Sequence, residues 1–130
     1  MHRSRLSGFI IDCHTDDLPA AAGFWSAALG MPILGDDGPK YLRLDARARD
    51  LTVEVQRVEH ASRVHLDIES DDVEAEVRRL EGLGATRVHQ GARWWVMQAP
   101  SGQRFCVVEA RENLAAAPGV TVWDTPNFRA

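Results

Sequence analysis

Two cysteines in 130 residues are too few to build a disulfide framework. Cys13 and Cys106 stand far apart, each inside an apolar run, so both are expected as reduced, buried or half-buried thiols. A basic excess is missing as well. The formal net charge is -4, with both signs mixed along the chain. That argues against nucleic acid as a partner, because binding a polyanion needs a basic face that displaces counterions. Long apolar runs are absent too. None approaches the length of a membrane span, and the opening "MHRSRLSGF" has no apolar signal core behind its basic residues. The expected location is the cytoplasm, with no membrane partner. What is present is an ordinary globular composition, 45% hydrophobic and 26% charged. The length suits one compact domain, or two small halves that share a core.

Hydrophobic periodicity then divides the chain. In "DDVEAEVRRLEGLGA", Val73, Val77 and Leu80 recur at helical spacing, and charges fill the opposite face. Asp71, with Glu74 three residues on, reads as the capping box, and Gly84 is placed to end the helix in a left-handed conformation. Just before it, Val64, Leu66 and Ile68 alternate with His65, Asp67 and Glu69, the period of a half-buried strand.

The first half repeats this plan. Asp16-Asp17-Leu18 slides onto Asp71-Asp72-Val73, Leu29-Gly30 falls near Leu83-Gly84, and Phe9, Ile11 and Cys13 take the places of Val64, Leu66 and Ile68. Strand patterns follow each helix: "PILG", "KYLRL" and "LTVEVQRV" in one half, "TRVHQ", "RWWVMQ" and "RFCVVEA" in the other. The turn signals "DDGP" and "APSGQ" separate them. This is an internal duplication of roughly 55 residues per unit. It predicts an α+β fold of two βαβββ modules, about 8–58 and 63–110, within a domain spanning 1–110. The tail, 111–130, carries Trp123 and Phe128, and Trp123 is expected to anchor it on the body or on a second subunit.

The duplicated order, the strands leading into "DDL" and "DDV", and "APSGQRFCVVEA" together resemble the glyoxalase / bleomycin-resistance / extradiol-dioxygenase (vicinal oxygen chelate) superfamily. The likeness is strongest to its small glyoxalase-like domains and covers about residues 8 to 110. Where that superfamily frequently carries Asp-Pro-x-Gly-Asn-x-Phe, this chain has Ala99 at the first position. The resemblance implies a curved, cleft-bearing sheet with helices on its outer faces. Strand alternation then sends Val64, Leu66 and Ile68, Val53 and Val55, and Phe105 and Val107 to the apolar interior. It sends His65, Asp67 and Glu69, Ile10, Asp12 and His14, Glu54 and Gln56, and Cys106 and Val108 to the cleft. Trp95, in repeat register with Tyr41, is expected there too, beside Met97 and opposite Arg43. Trp25, on the stripe of Leu18 and Ala21 or Ala22, is expected in the core.

Metal-dependent members of the superfamily set ligands on the first and last strands of each module. Carried over by position, His65 keeps its ligand, Ile10 loses one, Glu54 matches an acidic ligand, and Cys106 stands where those enzymes have glutamate. No metal is therefore expected. If a divalent ion does bind, the set implied is His65, Glu54 and Cys106. The contrasting expectation is a plain cleft histidine paired with Glu54 or Asp67. No catalytic residue is assigned.

Three functional classes stay open. One is a metal-independent protein that holds a small organic ligand against Tyr41, Trp95, Met97 and Ile10, with Arg43, His65 and Gln56 orienting it. The second is a lyase, isomerase or dioxygenase-like enzyme working at a metal on His65 and Glu54. The third is a structural interaction module. Loss of ligand character at Ile10 and Cys106 favours the first. Pairing as a homodimer is a further expectation, through a sheet edge or the aromatic tail.

Overall fold

The computed structural model describes residues 1–36 and 38–124, with Asp36 described in its backbone alone. Phe128 lies outside the described residues. In chain order the elements are β1 (His2–Cys13), α1 (Leu18–Leu29), β2 (Ile33–Asp36), β3 (Tyr41–Leu44), β4 (Thr52–Arg57), β5 (Arg63–Ser70), α2 (Val73–Gly82), β6 (Thr86–Gln90), β7 (Trp94–Gln98), β8 (Arg104–Glu109) and β9 (Thr121–Trp123). The class is α+β, with mixed strand pairing and the βαβββ order occurring twice. No helix among the described residues is long and apolar enough to cross a membrane. The chain divides into two compact units, residues 8–65 and residues 1–7 with 66–130.

In the unit 8–65, β1 runs parallel to β4, in register from Gly8↔Thr52 to Cys13↔Arg57. β4 pairs antiparallel with β3, and β3 with β2. A βαβββ order forces this arrangement: a parallel return needs the crossover helix, whereas the remaining strands are joined by turns. The crossover is α1. Asp17 caps it by accepting the Ala20 N–H at 3.0 Å, Pro19 occupies the first turn, and Gly30 ends it with φ 68°. Leu18 and Ala22 seat the helix on Ile11, Leu44, Val53 and Val55, with Trp25 packed against them half-buried. Gly8 is required by the close approach of β1 to β4. A Cβ there would lie 1.7 Å from the Thr52 carbonyl oxygen.

In the other unit, β5 runs parallel to β8, and β8, β7 and β6 follow antiparallel. Asp72, not Asp71, caps α2, accepting the Ala75 N–H at 3.0 Å. Asp71 is diverted to Arg3, whose backbone N–H it takes at 2.7 Å. The helix ends at Gly82, and Gly84 follows with φ 107°. Val77 and Leu80 bury against Met97, Phe105 and Val107. Val64 and Leu66 depart from expectation, being 59% and 45% exposed. α2 packs over β6, β7 and β8, and of the three alternating residues on β5 Ile68 alone joins its apolar cluster.

Two features of this unit carried no periodic signal. β1 extends back to His2, and the tail returns as β9 to pair with it, His2 opposite Trp123. Trp123 does anchor the tail. Its indole N–H donates to Ser4 Oγ at 2.9 Å, and the Arg79 guanidinium stacks 3.7 Å from its ring centroid. Arg79 in turn forks onto both oxygens of the fully buried Glu76, at 2.8 Å each, and His2 Nε2–H donates to the same carboxylate at 2.7 Å. Arg5 holds the earlier part of the tail through Glu112 at 2.7 Å and the Pro118 carbonyl at 2.8 Å.

Candidate functional site

Within residues 8–65 the strand face turned away from α1 carries two rows of side chains. One row is Asp12, Gln56 and Tyr41, side by side across β1, β4 and β3; the next is Ile10, Glu54 and Arg43. Period-two alternation brings them there, because Ile11, Val53, Val55 and Leu44 take the opposite, helix-covered face. Asp12 and Glu54 are both buried, at 2% and 8% exposure. Gln56 donates to the Tyr41 hydroxyl at 2.9 Å. His14, placed by the repeat at the end of this face, is exposed, and its backbone N–H donates to Ser62.

His65 joins the first row. Its Nδ1–H donates to Asp12 Oδ2 at 2.7 Å, and its side chain is 13% exposed. The partner of that nitrogen is thus Asp12, where Glu54 or Asp67 was expected. A carboxylate accepts only, so it selects the Nδ1–H form of the neutral ring and leaves Nε2 as the acceptor. Arg63 Nε lies 3.7 Å from the same Asp12 oxygen. Arg63 was missed by the sequence reading, although its odd position on β5, two before His65, places it on the same side of the strand. The Cys13 thiol, by contrast, is pushed up by burial and by the neighbouring Asp12 charge. It stays protonated at neutral pH and is a filler of the apolar side, not a nucleophile.

In the other unit the corresponding face differs from expectation. Met97 is fully buried against Val77 and Leu80 of α2, and Trp95 packs on the same cluster with Arg87 over its ring at 4.8 Å. Neither side chain faces the way Cys106 does. Trp94 pairs with Val108 and Val96 with Cys106, so Trp94, Val96, Cys106 and Val108 form the face opposite α2. The cause is a one-residue difference between the repeats: Asp16 and Asp71 are 55 positions apart, whereas Leu29 and Leu83, at the helix ends, are 54 apart. Through the strand pairs Val96, opposite Cys106 and Asp67, stands where Tyr41 stands opposite Gln56 and Asp12, and counting from the helix ends slips β7 by one residue and exchanges its faces. Asp67 pairs with Cys106, as alternation implied.

The donor chemistry decides how well these residues fit a metal. His65 and Asp67 share one face of β5, and Cys106 stands beside Asp67 on β8, so a nitrogen, an oxygen and a sulfur donor follow one another along these strands. Against that, Ile10 offers no donor atom and is buried at 3% exposure, in the position where the resemblance implies a ligand. The glutamate position of the last strand is Cys106. The residues present do not reproduce the family's ligand set.

Comparison with known proteins agrees with the architecture. A family model described as a glyoxalase-like domain matches residues 8–108. Methylmalonyl-CoA epimerase from Mycobacterium tuberculosis superposes with a TM-score of 0.65 at 18% identity, over 87% of this chain and 92% of that one. A hypothetical protein from Bacillus halodurans C-125 gives 0.65 at 15% identity, over 85% and 96%. The Mn(II)-bound glyoxalase from Novosphingobium aromaticivorans gives 0.60 at 18% identity, over 89% of this chain and 44% of that one. At these identities the likeness is one of fold. No curated protein sequence matches the chain.

Proposed function

We propose, from the premise that this chain belongs to the glyoxalase-like domain family, that it binds a small organic molecule without a catalytic metal. The ligand sits on the strand face of residues 8–65 turned away from α1. The observation that supports this most is the pairing of His65 with the buried Asp12 beside a hydrocarbon, Ile10, in a ligand position. An imidazole held in one tautomer beside the Tyr41–Gln56 hydrogen bond is a directional recognition group, and Ile10 supplies an apolar floor. A ligand with a flat apolar body and a polar group that can join this hydrogen-bonded row suits this set. Methylmalonyl-CoA epimerase in complex with methylmalonyl-CoA and NH4+, which shares the fold, lends it a precedent for small molecules. The remaining parts of the reading are a cytoplasmic location, no nucleic-acid or membrane partner, and assembly as a homodimer.

The alternative reading is a metal-dependent lyase, isomerase or dioxygenase-like enzyme. The His, Asp and Cys donors on β5 and β8 favour it. Elemental analysis of protein purified without chelator, repeated on the His65→Ala variant, separates the two. The expected result is no stoichiometric metal in either protein. Zinc, nickel, manganese or iron at one equivalent, lost in the variant, would replace the first reading with the second.

A further inference from the structure

We propose that the ligand of this face is an organic cation, and that it binds by displacing the Arg63 guanidinium from Asp12. The proposal rests on the small-molecule reading and names its chemical class. Asp12 is 2% exposed, and its two oxygens differ in what they meet. Oδ2 takes the His65 Nδ1–H at 2.7 Å. Oδ1, itself buried, accepts no hydrogen bond from the described residues. An ionised carboxylate has about four acceptor sites. Keeping one of its oxygens away from water with no donor is costly.

Arg63 does not repair this. Its Nε stands 3.7 Å from Oδ2, within reach of charge attraction but beyond a charge-assisted hydrogen bond, and its side chain is 45% exposed. Elsewhere this chain closes such pairs into forks. Arg79 meets both oxygens of Glu76 at 2.8 Å, Arg87 those of Glu74 at 3.0 and 2.7 Å, and Arg47 those of Asp45 at 2.9 and 3.0 Å. Beside Asp12 the arginine is held loosely.

The loose pair and the buried oxygen together define the incoming group. A donor reaches Oδ1 only if a neighbour of Asp12 moves. His65 is bound at 2.7 Å with a side chain 13% exposed, whereas Arg63 is half-exposed and weakly held, so Arg63 is the group that yields. Once it leaves, the buried carboxylate has lost a positive neighbour, and a buried charge needs an opposite one. The incoming group must bring that charge. An amidinium, guanidinium or ammonium does so, and also supplies the N–H that Oδ1 lacks. An anion drawn to Arg63 would come to rest beside the Asp12 carboxylate and be repelled. The body of the ligand follows the row. Asp12, Gln56 and Tyr41 lie on adjacent strands, a span of about 10 Å, and Ile10 is on the same face. A flat ring system with the cation at its Asp12 end matches this arrangement.

Titration of the full chain with benzamidine, its neutral counterpart benzamide, and benzoate tests this. The proteins are the native chain, Asp12→Asn and Arg63→Ala, with 1H–15N spectra as the readout and circular dichroism checking folding. Benzamidine should shift the amides of Asp12, Gln56 and Arg63 and bind at least about tenfold tighter than either other compound. Asp12→Asn should lose at least about tenfold in affinity for it. Arg63→Ala, at a half-exposed position, should bind benzamidine at least about threefold tighter, because the internal competitor is gone. Unchanged or weaker binding in Arg63→Ala overturns the displacement. Benzoate bound in preference, or all three compounds bound equally, overturns the inference and leaves the small-molecule reading standing. No shift with any of the three up to about 20 mM overturns both.

Discussion

Asp12 and His65 show how far single residues can be read. Alternation placed both on the side away from the helices, and the structure agrees with that placement for each. Their pairing was not legible, since 53 residues separate them and several acids of the right parity competed. The consequence is testable without any ligand. Long-range 1H–15N spectra of His65 should show the Nδ1–H form dominant in the native protein. In Asp12→Asn the carboxamide can donate or accept, and the ring should shift toward a mixture of tautomers. An unchanged spectrum would mean that Asp12 does not set the ring. Trp95 and Met97 show the opposite outcome. Their residue types suited a ligand face, but the parity of β7 decided against them, because the helix ends repeat at 54 residues and the paired strands at 55. Aligned through the strand pairs instead of the helix ends, the repeat matches Tyr41 with Val96 and puts Trp94 on the same face.

At the scale of elements, every strand after each helix, and both helices, were legible from periodicity and turn residues; the helices and the inner strands bury one side against their own module, while the outer strands β2 and β6 stay mostly exposed and were marked by their turn residues. The exceptions have local causes. Asp71 and Asp72 are equivalent capping candidates by sequence, and Arg3, remote in the chain, takes the first and leaves the helix to the second. β9 is short, exposed at Thr121 and Val122, and forms only because β1 offers it an edge. Gly8 gives the sharpest test of an element. With 1.7 Å between an added Cβ and the Thr52 carbonyl oxygen, Gly8→Ala must push β1 and β4 apart. The expected loss is about 2–4 kcal/mol in urea unfolding. A loss below about 0.5 kcal/mol would mean that the strands are farther apart than described.

At the scale of the whole molecule, the tail and the acid response belong together. Burial pushes the Glu76 carboxyl up, but Arg79, His2 and Ser4 outweigh it and hold the group below the ordinary glutamate value of 4.5. Arg87 holds Glu74 down, burial opposes it more weakly, and Arg78 adds to the lowering. A carboxyl lowered in the folded state stabilises the fold above its unfolded value and loses that contribution as pH falls through the folded one. Unfolding free energy should therefore be level above about pH 5 and decline below pH 4.5. Glu76→Gln should lose about 3–5 kcal/mol at pH 7, because Arg79 and His2 keep their burial without the charge. It should also flatten the acid decline. A variant as acid-sensitive as the native protein would remove Glu76 from this role.

The sequence by itself determined the duplicated βαβββ order, the apolar sides of the strands and helices, and the family, because these depend on local periodicity and on motifs a few residues long. Tertiary structure alone decided which side of β7 faces the helix, which acid holds His65, and that Trp123 docks on β1. Each of these is a choice between chemically equivalent residues, settled by which one a distant strand or helix brings within hydrogen-bonding or packing distance.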